Sequence, residues 1–188
     1  VTGNENFSTF EGRLTTANEV ICINGGVTIA NNGAEDRITV TSDNISIVGI
    51  MSERAVFIND RSGTESENVL SGISANNNLT LANLEMNIQG SGIALKLAGA
   101  MTTTIDNVVI LTSGEDSTGI HAFENSSIMN LNLKNSTIQS TGSNSTVTAL
   151  SFGIYSRGDF VTWNIDDSSI SASRGTPARF WGATANIN

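Results

Sequence analysis

A short pattern recurs along this chain, and its most complete copy is GIHAFENSSIMNLNLKNSTI at residues 119–138. Self-similarity at a period of 20 to 50 residues is typical of solenoid proteins. A chain built this way stacks similar coils on one another rather than folding around a single central layer. Each copy opens with a glycine and an isoleucine, at Gly72-Ile73, Gly92-Ile93, Gly119-Ile120 and Gly153-Ile154.

Further along each copy, apolar and polar residues alternate around an Asn or Asp. Alternation with period two predicts strands, and Asn, Asp and Gly tolerate the left-handed backbone of a sharp corner. Each coil is therefore predicted to contain a strand, a connection, a second strand, a tight corner and a third strand. The aligned stretches are LTLANLEM (79–86), TTIDNVVI (103–110), LNLKNSTI (131–138) and WNIDDSSI (163–170), with corners at Asn83, Asn107, Asn135 and Asp167; in ISIVGIMS (45–52), Gly49 takes the corner position.

Three short strands per coil with a stacked Asn corner resemble the right-handed parallel β-helix superfamily. That superfamily includes pectate lyases, phage tailspikes and the passenger domains of bacterial autotransporters, and the resemblance covers roughly residues 20–180. It implies an all-β fold, a right-handed parallel β-helix with three strands per coil. The alternative is an antiparallel β-sandwich, for which the chain offers only two close hairpin candidates, Asn24-Gly25-Gly26 and Asn32-Gly33.

We predict a single β-helix domain over residues 1–188. Residues 1–18 are predicted to form an N-terminal cap, with a short helix that begins in a capping box at Ser8–Glu11 and buries Phe7, Phe10, Leu14 and Ala17. Residues 19–170 are predicted as coils and 171–188 as a C-terminal coil or plug. Because the chain begins at Val1 and shows no recognisable cap at its end, we expect a mature or excised segment that further coils follow.

Composition narrows the partners of the chain. The net charge of −9 argues against nucleic acids and anionic membrane surfaces as binding partners. The sequence contains no run of 18 apolar residues, so no transmembrane helix is predicted. With one histidine and one cysteine, no metal site is predicted, and no cofactor. Cys22 cannot form an internal disulfide, and its apolar neighbours predict a core position.

Side chains two and four positions after each glycine are predicted to point outward, because the intervening isoleucine points inward. Lys96, His121, Phe123, Tyr155 and Arg157 would then form one ligand-binding patch on three neighbouring strands. Aromatic faces beside cations and hydrogen-bonding groups suit a sugar or an acidic glycan. The second positions are Ser74, Ala94, His121 and Tyr155, the fourth positions are Asn76, Lys96, Phe123 and Arg157, and Glu115 and Asp116 precede the His121 strand.

The predicted function is that of a secreted or surface-displayed bacterial solenoid, an adhesin or passenger-type binding module. Its partner would be a glycan or a host or cell-surface protein, with further recognition in loops 59–68, 112–118 and 140–148. No catalytic motif is recognised. The alternative is a polysaccharide-active, pectate-lyase-like enzyme that uses His121, Tyr155 and Arg157 as catalytic residues.

Two further alternatives are a structural spacer and an ice-binding solenoid. Ice binding is suggested by two parallel ranks of small polar side chains before the corners. The ranks are Asn44, Asn78, Thr102, Asn130 and Thr162, and Ser46, Thr80, Thr104, Asn132 and Asn164.

Overall fold

A computed structural model describes residues 1–31, 37–60, 70–89, 92–114, 117–124, 126–142, 151–173 and 175–188. These residues contain one short helix, α1 (Phe7–Glu11), and twenty strands. In chain order the strands are β1 (Glu5–Asn6), β2 (Val20–Asn24), β3 (Thr28–Ala30), β4 (Ile38–Val40), β5 (Ile45–Ile50), β6 (Ala55–Asn59), β7 (Leu70–Ala75), β8 (Leu79–Ala82), β9 (Leu84–Ile88), β10 (Ile93–Ala98), β11 (Met101–Asp106), β12 (Val109–Thr112), β13 (Thr118–Phe123), β14 (Met129–Lys134), β15 (Thr137–Ser140), β16 (Ser151–Arg157), β17 (Val161–Asp166), β18 (Ser169–Ala172), β19 (Gly175–Trp181) and β20 (Thr184–Ile187).

The strands form three parallel sheets that the chain visits in turn. Sheet A contains β1, β3, β6, β9, β12, β15 and β18; sheet B contains β2, β5, β8, β11, β14, β17 and β20; sheet C contains β4, β7, β10, β13, β16 and β19. Apart from β1, which pairs with β3, each strand pairs with the strands three positions before and after it in the chain, as β11 pairs with β8 and with β14. The molecule is a right-handed parallel β-helix of about five turns with three strands per coil, which confirms the predicted fold.

Equivalent residues of successive coils stack into rows inside the solenoid. In sheet A one such row is Ile29, Phe57, Met86, Ile110, Ile138 and Ile170. The first five of these side chains are buried, and each buried aliphatic side chain contributes about 1.5–3 kcal/mol relative to an exposed one. The largest buried side chain is Trp163, whose indole Nε1 donates to Ser156 Oγ over 3.0 Å.

The predicted Asn corners are confirmed by their backbone conformation. Asn83, Asn107, Asn135 and Asp167 all have positive φ, between 44° and 53°. Their side chains also join neighbouring coils, since Asn107 Nδ2 donates to Asn83 Oδ1 over 3.1 Å and Asn135 Nδ2 donates to Asp106 Oδ1 over 2.9 Å. The corner is thus held by conformation and by hydrogen bonds along the solenoid axis.

The prediction that Gly49 forms the corner of its coil is wrong. Strand β5 continues through Gly49 to Ile50, and the positive φ of 87° is at Met51. Gly49 is required for another reason: a Cβ there would lie 2.1 Å from the carbonyl oxygen of Asn83. A glycine is therefore needed at position 49 because the backbone of the next coil approaches closely, not because the chain turns there.

The N-terminal segment covers the first coil with a shorter helix than predicted. Helix α1 is capped by Asn6, whose Oδ1 accepts from Thr9 N, so the predicted capping box at Ser8 is wrong. Phe7, Phe10 and Leu14 are buried as expected, but Leu14 lies beyond the helix and Ala17 is exposed. Glu11 Oε1 accepts from Thr39 N over 2.6 Å, which satisfies a backbone donor of sheet C.

Two further features concern Cys22 and the C-terminal residues 171–188. Cys22 is exposed rather than buried, because the alternation of β2 turns Ile21 and Ile23 inward. Residues 171–188 contain β19 and β20, which add one strand each to sheets C and B.

The Asn corner predicts a specific order of stabilities. Asn107→Gly keeps the left-handed conformation but loses the side-chain hydrogen bonds to Asn83 and from Arg54, which should lower the free energy of unfolding by about 1 kcal/mol. Asn107→Ala should lower it by about 2 kcal/mol, because alanine also strains the backbone. Urea unfolding followed by circular dichroism measures both; equal losses would show that the conformation of Asn107 is not the constraint.

Candidate functional site

The outer face of sheet C carries two rows of large side chains on consecutive strands. The first row, by Cα register, is Lys96, His121, Tyr155 and Arg179, and the second is Ala98, Phe123, Arg157 and Trp181. All five predicted ligand-binding residues lie on this face. We call the set Lys96, His121, Phe123, Tyr155, Arg157, Arg179 and Trp181 the sheet-C patch.

The predicted row of Lys96 is wrong. The spacing after Gly92 placed Lys96 beside Phe123 and Arg157, whereas in the structure it pairs with His121. The cause is that Ala94-Leu95, rather than Gly92-Ile93, aligns with Gly119-Ile120, since Leu95 pairs with Ile120. Ala94 is therefore buried instead of exposed, and β7 shifts its register against β10 around this residue. A Cβ on the facing Gly72 would lie within 1.9 Å of the Ala94 carbonyl oxygen, so a glycine there permits this close approach.

Aromatic rings pack along the first row. The ring centroids of His121 and Tyr155 are 5.1 Å apart, and Phe152 stacks on Tyr155 at 5.0 Å with an interplanar angle of 21°. Phe152 is itself buried, so it supports the Tyr155 ring from the protein side. The orientation of Tyr155 is therefore determined by packing on two rings.

Arg157 and Arg179 pack against aromatic rings of the sheet-C patch. The Arg157 guanidinium carbon lies 5.2 Å from the Trp181 ring centroid and 5.8 Å from that of Phe123. The Arg179 guanidinium carbon lies 5.2 Å from Trp181 and 6.0 Å from Tyr155. These distances lie within the range of cation–π contacts, so Trp181 holds both guanidinium groups near one ring.

Arg179 and Trp181 were not predicted as site residues. A signal for them exists in the sequence, since His121-x-Phe123, Tyr155-x-Arg157 and Arg179-x-Trp181 share one spacing. The copy that contains Arg179 and Trp181 was not recognised in the sequence, because it has Pro177-Ala178 where the earlier copies have Gly-Ile. Ala178 nevertheless pairs with Ile154, which places Arg179 next to Tyr155.

All charged residues in the six strands of sheet C are cations. They are Lys96, Arg157 and Arg179, while the strand sequences contain no Asp or Glu. Glu124 follows Phe123 directly, but it is largely buried and its Oε1 accepts from the backbone N–H groups of Ser126 and Ser127. In a chain with net charge −9, the strands of sheet C thus carry only positive charges.

His121 carries no charge at neutral pH. Burial against its neighbours and, to a smaller extent, the positive charge of Lys96 together lower the imidazole pKa to about 4. The imidazole is therefore a neutral aromatic group with one donor and one acceptor nitrogen rather than a cation.

Sheet B carries the two ranks of small polar residues that its sequence predicted. Thr80, Thr104 and Asn132 occupy one register row, and Asn164 Nδ2 donates to Asn132 Oδ1 over 3.0 Å. Asn186 continues this ladder with a bond of 2.9 Å to Asn164. This face bears amide and hydroxyl groups and lacks the large aromatic rings of the sheet-C patch.

Several predicted residues lie outside the described part of the chain. These are Glu115 and Asp116, and residues 61–68 and 143–148 of the predicted recognition loops. Among the residues that are described, no group of three or more His, Cys, Asp and Glu side chains is placed to hold a metal ion. The same residues include no helix of the length and apolarity needed to cross a membrane.

Comparisons of this chain with protein-family models, with curated proteins and with solved structures returned no significant match. Function is therefore inferred from the geometry of the site.

The low pKa of His121 can be measured directly, because His121 is the only histidine. We expect its imidazole proton signals in NMR to titrate with a midpoint near pH 4. Lys96→Gln should raise this midpoint by removing a neighbouring positive charge, while Lys134→Gln on sheet B should leave it unchanged. A wild-type midpoint at or above 6 would contradict the described burial of the imidazole.

The lowered pKa of His121 also makes the free energy of unfolding depend on pH. The unfolded chain binds a proton at His121 below about pH 6.5, whereas the folded chain does so only near pH 4, so the contribution of His121 is lost as the pH falls between these values. The wild type should therefore lose more free energy of unfolding from pH 7 to pH 4 than His121→Gln does. Urea unfolding at several pH values tests this, and parallel curves would contradict it.

Proposed function

We propose that this chain is a β-solenoid binding module whose sheet-C patch binds a glycan. We further propose that it acts as an adhesin or passenger-type segment of a secreted or surface-displayed bacterial protein. The observation that carries the proposal is the alignment of aromatic rings and cations in two rows on consecutive strands of one sheet.

The composition of the patch fits a sugar ligand. Phe123 and Trp181 are exposed by 36% and 55%, and Tyr155 and His121 are partly exposed, so apolar ring surface reaches solvent. A sugar ring presents apolar C–H groups and hydroxyl groups together. Aromatic side chains with polar tips, such as Tyr and His, contact both kinds of group.

The strands supply a rigid support for these side chains. Each patch residue lies within a hydrogen-bonded parallel strand. The strand neighbours of His121 and Tyr155, including Ile120 and Ile154, are fully buried, whereas those of Arg179 in the edge strand β19 are partly buried. Since the packed His121 and Tyr155 rings have little side-chain freedom to lose on binding, this arrangement supports affinity without a deep pocket.

The chemistry of the patch favours binding over catalysis. A general base works best with a pKa near the operating pH, and His121 with a pKa of about 4 is a weak base at neutral pH. A glycosidase of the usual kind also needs two carboxyl groups across the scissile bond, and the strands of sheet C contain none.

Loss of the exposed rings tests the proposal. The double variant Phe123→Ala/Tyr155→Ala should reduce binding to an immobilised panel of neutral and acidic polysaccharides about tenfold or more, because two stacking surfaces are removed. Phe160→Ala is the matched control, since Phe160 is 49% exposed between β16 and β17, outside the patch. Circular dichroism checks that both proteins are folded.

Two outcomes would count against a glycan-binding patch. One is that the folded wild-type chain binds no member of the panel. The other is that a polysaccharide binds the double variant as tightly as it binds the wild type, which would place the contact on another surface.

A further inference from the structure

We infer that the ligand of the sheet-C patch is a linear acidic polysaccharide that lies along the solenoid axis, with its anionic groups bound by Arg157 and Arg179. This inference rests on the proposed function and specifies the class of glycan. It follows from the packing of the two arginines, from the absence of an ion pair to either of them among the described residues, and from the direction of the two rows.

The packing of the two guanidinium groups prepares them for anions. Both lie over the Trp181 ring at 5.2 Å, with second contacts to Phe123 and Tyr155 at 5.8 and 6.0 Å. A guanidinium that packs its flat face on a ring keeps N–H donors at its edge. Those donors form a planar fork that suits an anionic oxygen pair such as a carboxylate. Trp181 is thus a positioning residue for both arginines.

Neither arginine forms an ion pair with another of the residues that the structure describes. Within the described ranges the one ion pair joins Arg13 and Glu5, far from sheet C in sequence. Glu124, which follows Phe123, uses its Oε1 for the N–H groups of Ser126 and Ser127. Asp159, two residues after Arg157, forms no ion pair with either arginine. The two positive charges are therefore available to an external anion.

The rows determine the direction of the ligand. Neighbouring strands lie about 4.8 Å apart, so Lys96 and Arg179 at the ends of the first row are separated by about 14 Å along the solenoid axis. Neutral His121 and Tyr155 lie between these two cations. A chain that alternates sugar rings with anionic groups can place rings on the aromatic residues and charges on the cations.

The charge of the whole molecule favours this polymer over a nucleic acid. Nucleic-acid binding depends on neutralising many closely spaced phosphates, and the sheet-C patch has three cations. The net charge of −9 repels a densely charged polyanion from the rest of the surface. A polymer with sparser charges and sugar rings between them meets less of that repulsion.

Matched ligand pairs test the inference. We would measure binding by calorimetry for a polyuronate and its methyl-esterified form, and for dextran sulfate and dextran, so that the members of each pair share a sugar backbone and differ in their anionic groups. The acidic member of at least one pair should bind about tenfold more tightly, and this preference should weaken as salt is raised. Which pair shows the preference distinguishes carboxylate from sulfate.

Charge-removing variants connect the preference to the two arginines. Arg157→Gln and Arg179→Gln should each reduce affinity for the acidic ligand several-fold and flatten its salt dependence, with little change for the neutral form. Lys134→Gln, which removes the same charge from sheet B, should change neither. Trp181→Phe should retain the preference and Trp181→Leu should reduce it, because phenylalanine still offers a ring to both guanidinium groups.

The outcomes separate this inference from the proposed function. Equal affinity for the charged and neutral members of both pairs overturns the inference but leaves a glycan-binding patch. Binding of polyglutamate or single-stranded DNA as tightly as the acidic polysaccharide, with the same dependence on Arg157 and Arg179, also overturns it. Absence of binding to all four polysaccharides overturns both.

Discussion

Hydrogen bonding between successive coils is the interaction on which the structure depends. Parallel strands pair in register about 4.8 Å apart, so a residue in one coil meets its equivalent in the next. This repetition builds the buried rows, including Ile110 and Ile138, and the Asn ladder at the corners. The same repetition aligns His121 with Tyr155 on the outside. The core and the outer rows of side chains thus arise from the same in-register strand pairing, and both extend over as many coils as keep that register.

The architecture was predictable because its signals are local. Period-two alternation reports which side chains face inward, and Asn at one fixed place reports a left-handed corner, whatever the length of the loops between them. Asn83, Asn107 and Asn135 were placed correctly for this reason. The outward direction of His121 and Tyr155 followed from the same alternation. The grouping of five patch residues on one face therefore required no knowledge of tertiary contacts.

The rest depended on contacts between coils that no single stretch of sequence reveals. The row of Lys96 differs from the prediction because Ala94-Leu95, and not Gly92-Ile93, aligns with Gly119-Ile120 of the next coil. Arg179 and Trp181 were missed because Pro177 replaces the glycine that marks the other copies. The pKa of His121 reflects burial by its neighbours. The register of Lys96, the pairing of Arg179 with Tyr155 and the packing of His121 together place cations and aromatic rings on one face.

The central claim is that the outer face of sheet C is the binding surface of this solenoid. The most direct measurement is a titration of the isotope-labelled chain with an acidic oligosaccharide, followed by backbone amide NMR. The account predicts chemical-shift changes concentrated around Lys96, His121, Tyr155 and Arg179, with the Asn132–Asn164–Asn186 ladder of sheet B unaffected. Shift changes centred on sheet B or sheet A, or none at saturating ligand, would contradict it.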